Sequence, residues 1–390
     1  MIGAVVGLAL LALAAPFVLY PLALFLRATF APRAIAAADH APQVDLIVCA
    51  HNEAASIGAK IENALALDYP RDRLAICIAS DGSTDATVAI ARGYADRSVR
   101  VLDLPRRGKA HALAAAAQAT EGELMAFSDA NSQWAPDALR ALVRPFADPD
   151  VGGVAGDQRY RSGDADAALE RSAGERSYWS FDRWLKRWQS RAGSAISATG
   201  AIYAVRRALF EAPPPDATDD FMISTAVVAR GRRLAFADDA VAFEPPAETH
   251  GGEFRRKVRI TTRGLRGVVY RRALLNPFRH GAYALELAVH KVWRRMTWIP
   301  LLALVAVAPL CWASGGWLAA IGAGVSVAVA LGLAGLAIPA LQRGRVVAVC
   351  AYVVMVNAAC AVATANALRG HRVAHWEPAR AAGEWSEGAS

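Results

Sequence analysis

Charge is missing from three long parts of this 390-residue sequence: residues 1–26, 296–342 and 346–368 contain no Asp, Glu, Lys or Arg. A chain that is soluble throughout is thereby excluded, and the remainder has the charged content of an ordinary soluble domain. Cysteine is also scarce. The five present (Cys49, Cys77, Cys311, Cys350 and Cys360) show no paired spacing, which excludes a disulfide framework and a cysteine zinc site and fits a reducing compartment. No Gly-x-Gly-x-x-Gly fingerprint follows the first predicted strand and no Walker loop is present, so a nicotinamide dehydrogenase or a P-loop enzyme is disfavoured. The histidines are scattered, and no internal repeat or low-complexity linker occurs beyond Pro213–Pro215. At 55% hydrophobic residues the sequence is neither disordered nor collagen-like.

A membrane-spanning helix needs about 20 apolar residues. The first and third charge-free stretches are thus one span each, and the middle one is long enough for two, with its break at Ser314–Gly316. The N-terminal run has no Lys or Arg before it and exceeds a signal-peptide core, so residues 1–27 read as an anchor. Between Phe254 and Arg295 twelve Lys/Arg face one acid, Glu286, a local surplus larger than the net +8 of the whole chain. Because this block adjoins an apolar segment, residues 251–295 read as basic interfacial helices meeting membrane lipids, and nucleic acid is not expected. His290 is expected at that surface. Together with Arg27, Arg33, Arg343 and Arg345, the block puts the large polar region on the cytoplasmic side of the inner (plasma) membrane. Four spans would leave both termini outside, and Arg369, Arg372 and Arg380 in the tail (369–390) oppose that; the conflict stays open.

Residues 40–250 alternate between strand and helix patterns. Strands are predicted at 44–50, 74–79, 99–102 and 124–127, with helices between them, the first over 54–67. The fold class is α/β, with a mainly parallel sheet covered by helices on both faces. Ligands bind at the carboxyl ends of such strands, and the polar clusters 51–53, 81–85 and 129–131 all fall there. They gather Glu53, Asp81, Asp129 and Asn131, with Arg106, Arg107 and Lys109 on a nearby glycine-containing loop. Acids in that mixture suit a divalent cation and the basic loop suits phosphate.

The pieces Cys49-Ala-His-Asn-Glu53, Ala79-Ser-Asp-Gly-Ser-Thr-Asp85, Arg107-Gly-Lys-Ala110, Ser128-Asp-Ala-Asn131, Thr199-Gly-Ala-Ile-Tyr-Ala204 and Thr218-Asp-Asp220 occur in this order. Singly weak, together they resemble the family 2 glycosyltransferases, particularly the membrane-embedded members related to polysaccharide synthases. The likeness runs from about Val44 to Ile260. It implies a GT-A fold (Rossmann-like), a nucleotide-sugar donor, a UDP-sugar first of all, and Mg²⁺ or Mn²⁺. On this resemblance Asp81 contacts the nucleotide base, Glu53 the ribose or base, and Lys109 the phosphates. Asp129 matches the first acid of the family's Asp-x-Asp metal motif, whose second position here is Asn131, an amide without charge. Structural readings stand beside these: Asp81 as a turn residue, Glu53 as a first-turn helix acid, Lys109 as a solvated loop residue.

Asp220 lies where the family's catalytic base stands, and Asp219 competes with it; as neighbours at a helix start both also read as caps. Gly200 belongs to the acceptor and diphosphate region by the same likeness. Arg256-Lys-Val-Arg-Ile260 corresponds to the family's Gln-x-x-Arg-Trp, keeping Arg256 and Arg259 for the diphosphate but placing Ile260 where the acceptor-stacking Trp would be. That loss favours single addition to a lipid-linked or glycan acceptor over a processive synthase, and an inactive binding subunit of an export complex is the further alternative. A stripe of Tyr178, Phe181, Trp184, Leu185 and Trp188 at helical spacing lines an acceptor site or forms a core face. The expected organisation is an anchor (1–27), a GT-A domain (40–250), interfacial helices (251–295), a C-terminal transmembrane region (296–368) and the tail.

Overall fold

The computed structural model describes residues 1–160, 173–244 and 250–371. Arg372 and Arg380 of the tail lie outside them. The described residues form two units: 32–160 with 189–244, and 1–31 with 173–188 and 250–371.

The first unit is built on eight strands, β1 (Val44–Ala50), β2 (Leu74–Asp81), β3 (Val99–Leu104), β4 (Leu124–Asp129), β5 (Gln133–Trp134), β6 (Val151–Tyr160), β7 (Tyr203–Arg206) and β8 (Arg233–Glu244). Its helices are α1 (Ala54–Leu65), α2 (Thr87–Arg92), α3 (Lys109–Gln118), α4 (Ala138–Val143) and α5 (Asp219–Ala229). The sheet order is β3-β2-β1-β4-β7-β6-β8-β5. All seven residues of β1 are buried, as a strand covered on both faces requires. Its residues alternate: Leu46, Val48 and Ala50 pack with Ile57 and Ile61 of α1 and Leu139 and Leu142 of α4. Ile47 and Cys49 pack on the opposite face with Ala112, Leu113 and Ala116 of α3 and Ile223 and Val227 of α5.

The expectation of a mainly parallel sheet holds: β3-β2-β1-β4 are parallel throughout, and antiparallel pairs occur only beyond them among the described residues. There the sheet is mixed: β7 runs antiparallel to β4 and β6, β8 is parallel to β6, and β5 is antiparallel to β8. One acid sits inside apolar β1. Asp45 is buried, pairs with Arg207 at 2.5 Å and accepts the Gly122 amide at 2.6 Å, so its charge is met.

In the second unit, three helices are long and apolar enough to cross a membrane: Ile2–Phe30, Gly316–Ala337 and Arg345–Leu368. A third C-terminal span, expected from sequence, exists only as Ala282–Arg295 and Trp298–Ser314 taken together, with a 47° bend between them. Gly332 brings two of the helices close. A Cβ there would stand 2.6 Å from Val354 and 2.8 Å from the Cys350 carbonyl, the small-residue contact that membrane helices favour.

Candidate active site

The turns after β1 and β2 are stitched to each other. Asn52, at φ +52°, accepts the Thr84 amide at 2.8 Å, while its own amide donates to Ser83 at 3.1 Å. The Glu53 amide donates to the Thr87 hydroxyl at 2.8 Å and the Ala54 amide to Asp85 at 3.0 Å. Glu53 is thus fixed at the N-cap of α1, with Ser56 donating to its carboxylate at 2.5 Å. Asn52 stood in the polar cluster 51–53 without a role of its own, and sequence reading overlooked Thr87, for which the polar run 80–87 after a strand was the available signal.

Asp81 ends β2 with 2% exposure, and its carboxylate accepts the amides of Arg107 (2.8 Å) and Gly108 (2.9 Å). It therefore holds the 106–108 loop that leads into Lys109. Gly82 makes this approach possible: its φ is +62°, and a Cβ would stand 2.6 Å from the Arg106 nitrogen.

Lys109 opens α3, and its Nζ lies 2.7 Å from Asp129 Oδ1 at the end of β4 and 3.0 Å from Asp219 Oδ2 at the start of α5. Three residues separated by up to 110 positions meet at one ammonium. Burial alone would pull the Lys109 pKa down, but Asp129 and Asp219 outweigh it and hold it well above the ordinary lysine value. Beneath them the Cys49 thiol is pushed up by burial, so it stays protonated and is no nucleophile. Asp220 accepts the Phe221 amide at 2.7 Å. Gly200 abuts Asp129, where a Cβ would fall 2.7 Å from Oδ2.

Several buried polar atoms around these carboxylates have no hydrogen-bond partner: Asn131 Nδ2, Thr199 Oγ1, Tyr203 Oη and Thr218 Oγ1. Tyr203, stacked on Phe127 with centroids 4.8 Å apart, has its pKa raised by burial first and then by Asp219, Asp220 and Asp129. It was quoted within a motif but given no role from sequence. Unpartnered buried polar groups are rare in folded proteins, and each calls for an explanation. As a cation site the residues supply one carboxylate, Asp129, and one amide, Asn131. Among the described residues no group of three or more His, Cys, Asp or Glu is placed to hold a metal. Such a donor set fits Mg²⁺ or Mn²⁺ completed by substrate phosphates and water, not an all-protein cage.

Behind this turn Lys60 is fully buried, donating to the Ser132 carbonyl at 2.8 Å over the Trp134 ring. The Ser132 hydroxyl in turn donates to Glu244 at 2.9 Å. Burial lowers the Lys60 pKa from 10.5 to about 7, against the pull of Asp129 and Glu244. Between those values the unfolded chain binds the extra proton, so stability rises with pH across that window and is least below it. Lys60→Met is expected to flatten the rise, by up to about 1.4 kcal/mol per pH unit, in thermal unfolding of detergent-solubilised protein from pH 6 to 9.5.

Arg256 and Arg259 belong to the other unit, on the helix His250–Tyr270. His290 is buried there, with Nε2 3.4 Å from Asp182, correcting the surface position expected of it. Of the aromatic stripe, Phe181 stacks near Trp184 (6.3 Å), and Trp188 meets Phe25 edge-on at 4.9 Å. Those contacts make it a packing face; the Tyr178 side chain lies outside the described residues.

A parallel βαβ half-sheet continued by mixed strands, with an acid at the end of β4 and another at the start of α5, is the GT-A type of glycosyltransferase fold. Residues 45–212 match the family described as Glycosyl transferase family 2. It is 29% identical over 234 residues to an N-acetylglucosaminyltransferase of Rhizobium leguminosarum bv. viciae, covering 56% of this chain and 54% of that protein. A beta-monoglucosyldiacylglycerol synthase of Synechocystis sp. is 37% identical over 119 residues, covering 29% of this chain and 25% of its own length. The chain thus spans about half of the first relative and a quarter of the second. Among solved structures, a mannosyltransferase of Pyrobaculum calidifontis in complex with GDP-Man and Mn²⁺ superposes with TM-score 0.70 at 25% identity, over 94% of this chain and all of that one.

Proposed function

We propose that the chain transfers a glycosyl group, with inversion, from a nucleotide-sugar donor to a lipid-linked or glycan acceptor at the membrane. The observation that carries the reading is the meeting of Lys109, Asp129 and Asp219 at the strand ends, in a domain matching family 2 on a chain whose described residues include three apolar helices of spanning length. Asp81 and Glu53 would seat the nucleoside and Lys109 the diphosphate. Asp129 and Asn131 would hold a divalent cation, which when bound neutralises charge on the departing diphosphate. Asp220 would take the proton of the acceptor hydroxyl as its oxygen attacks the anomeric carbon. Gly200 would keep the space beside Asp129 open, and Arg256 and Arg259 would meet acceptor phosphate or anionic lipid. A membrane acceptor is supported by the apolar helices, and a cytoplasmic domain by the basic segment 254–295.

A panel of UDP- and GDP-sugars, offered to the detergent-solubilised chain with lipid-linked acceptors and with or without Mn²⁺ or Mg²⁺, tests this. Release of nucleoside diphosphate from one donor is expected. Release from none would overturn the reading in favour of a binding subunit, and product length separates single addition from polymerisation.

A further inference from the structure

We propose that Lys109 is a built-in competitor of the divalent cation, so that cation and nucleotide bind to this site cooperatively. The inference rests on the nucleotide-sugar reading above and adds how the two ligands are coupled. The Lys109 ammonium lies between two carboxylates from different elements, 2.7 Å from Asp129 and 3.0 Å from Asp219. That is the position between paired acids a metal ion would otherwise favour. With Asn131 in place of a second acid, Asp129 is the only charged ligand the 129–131 turn can offer, and one of its oxygens is already committed. A cation arriving alone must share Asp129 with a like charge or displace it. The Lys109 side chain is only 15% exposed, so an ammonium that gives up Asp129 is left largely buried with one carboxylate, Asp219, in place of two, which is costly.

A nucleoside diphosphate changes that balance. Its phosphates offer Lys109 a charge-assisted alternative, which releases Asp129 to the cation. The backbone need not move, because the loop before Lys109 is anchored through the Arg107 and Gly108 amides to Asp81; only the side chain swings. Thermodynamic linkage then makes the effect reciprocal: the cation tightens nucleotide by the same factor as nucleotide tightens the cation.

Mn²⁺ binding to the full chain in detergent, followed by electron paramagnetic resonance of free Mn²⁺ with and without UDP or GDP, tests the proposal. For the wild-type chain, saturating nucleotide is expected to tighten Mn²⁺ about tenfold or more. Lys109→Met should bind Mn²⁺ alone about tenfold more tightly than wild type, with the coupling reduced to about threefold or less, whereas Lys109→Arg should keep the wild-type pattern. If Lys109→Met does not fold, Lys109→Gln carries the same comparison. A neutral variant that binds Mn²⁺ alone no tighter than wild type overturns the proposal. If neither nucleotide binds the wild-type chain at any Mn²⁺ concentration, the nucleotide-sugar reading and the coupling fail together. Tighter Mn²⁺ binding by the neutral variant would then show only that Lys109 competes.

Discussion

Asp220→Asn is expected to lower turnover by about 10²–10⁴, the range that general-base catalysis contributes, while donor affinity changes by less than about threefold. Asparagine keeps the size of the side chain and can still accept the Phe221 amide, so the start of α5 is preserved. It cannot take a proton from an acceptor hydroxyl. Donor binding would be followed by calorimetry and turnover by nucleotide release from the donor the panel identifies. An Asp220→Asn enzyme with wild-type turnover removes Asp220 from the reaction and leaves Asp219 as the candidate base.

Asp129→Ala should fail in the opposite way, at the donor. The substitution removes the charged cation ligand and leaves Lys109 with Asp219 alone. Truncating one partner of a partly buried charge pair costs about 2–5 kcal/mol at a binding site, which corresponds to a rise in donor Kd of roughly 30-fold to several thousand-fold. Folding should survive, since Asp129 lies at the strand end and its side chain is 30% exposed. Calorimetric titration with the nucleotide and Mn²⁺ measures it, and unchanged donor affinity would place the cation elsewhere. The two variants together separate binding from chemistry, because one should bind without turning over and the other should not bind.

How much of this was legible beforehand depended on the distance over which each interaction acts. The first four strands could be read because β1, β2 and β4 are continuous apolar runs ending in polar turns. Asp81, Lys109 and Asp129 followed, since parallel strands deliver their ends to one edge. The meeting of Asp219 with Lys109 was not legible, because the two lie 110 positions apart with four strands between them and no periodicity encodes a contact of that range. Within the mixed half, β5 and β7 were missed because they have two and four residues, too short for an alternation to show. Lys60 could have been found. It falls among Ile57, Ile61 and Ala64 at helical spacing, and a lysine on the apolar face of a helix signals a buried cation with a partner to be sought.

The paired carboxylate inside β1 also bears on how the sheet comes together. Asp45 belongs to the first strand of the chain's catalytic unit, whereas Arg207, its partner, lies 162 residues further on. The parallel half alone would leave that charge in an apolar layer with the Gly122 amide as its remaining neighbour. During synthesis the parallel half thus emerges first but is completed last, and the mixed strands act as its closing element. The parallel half and the mixed half therefore share a charge pair that neither holds alone.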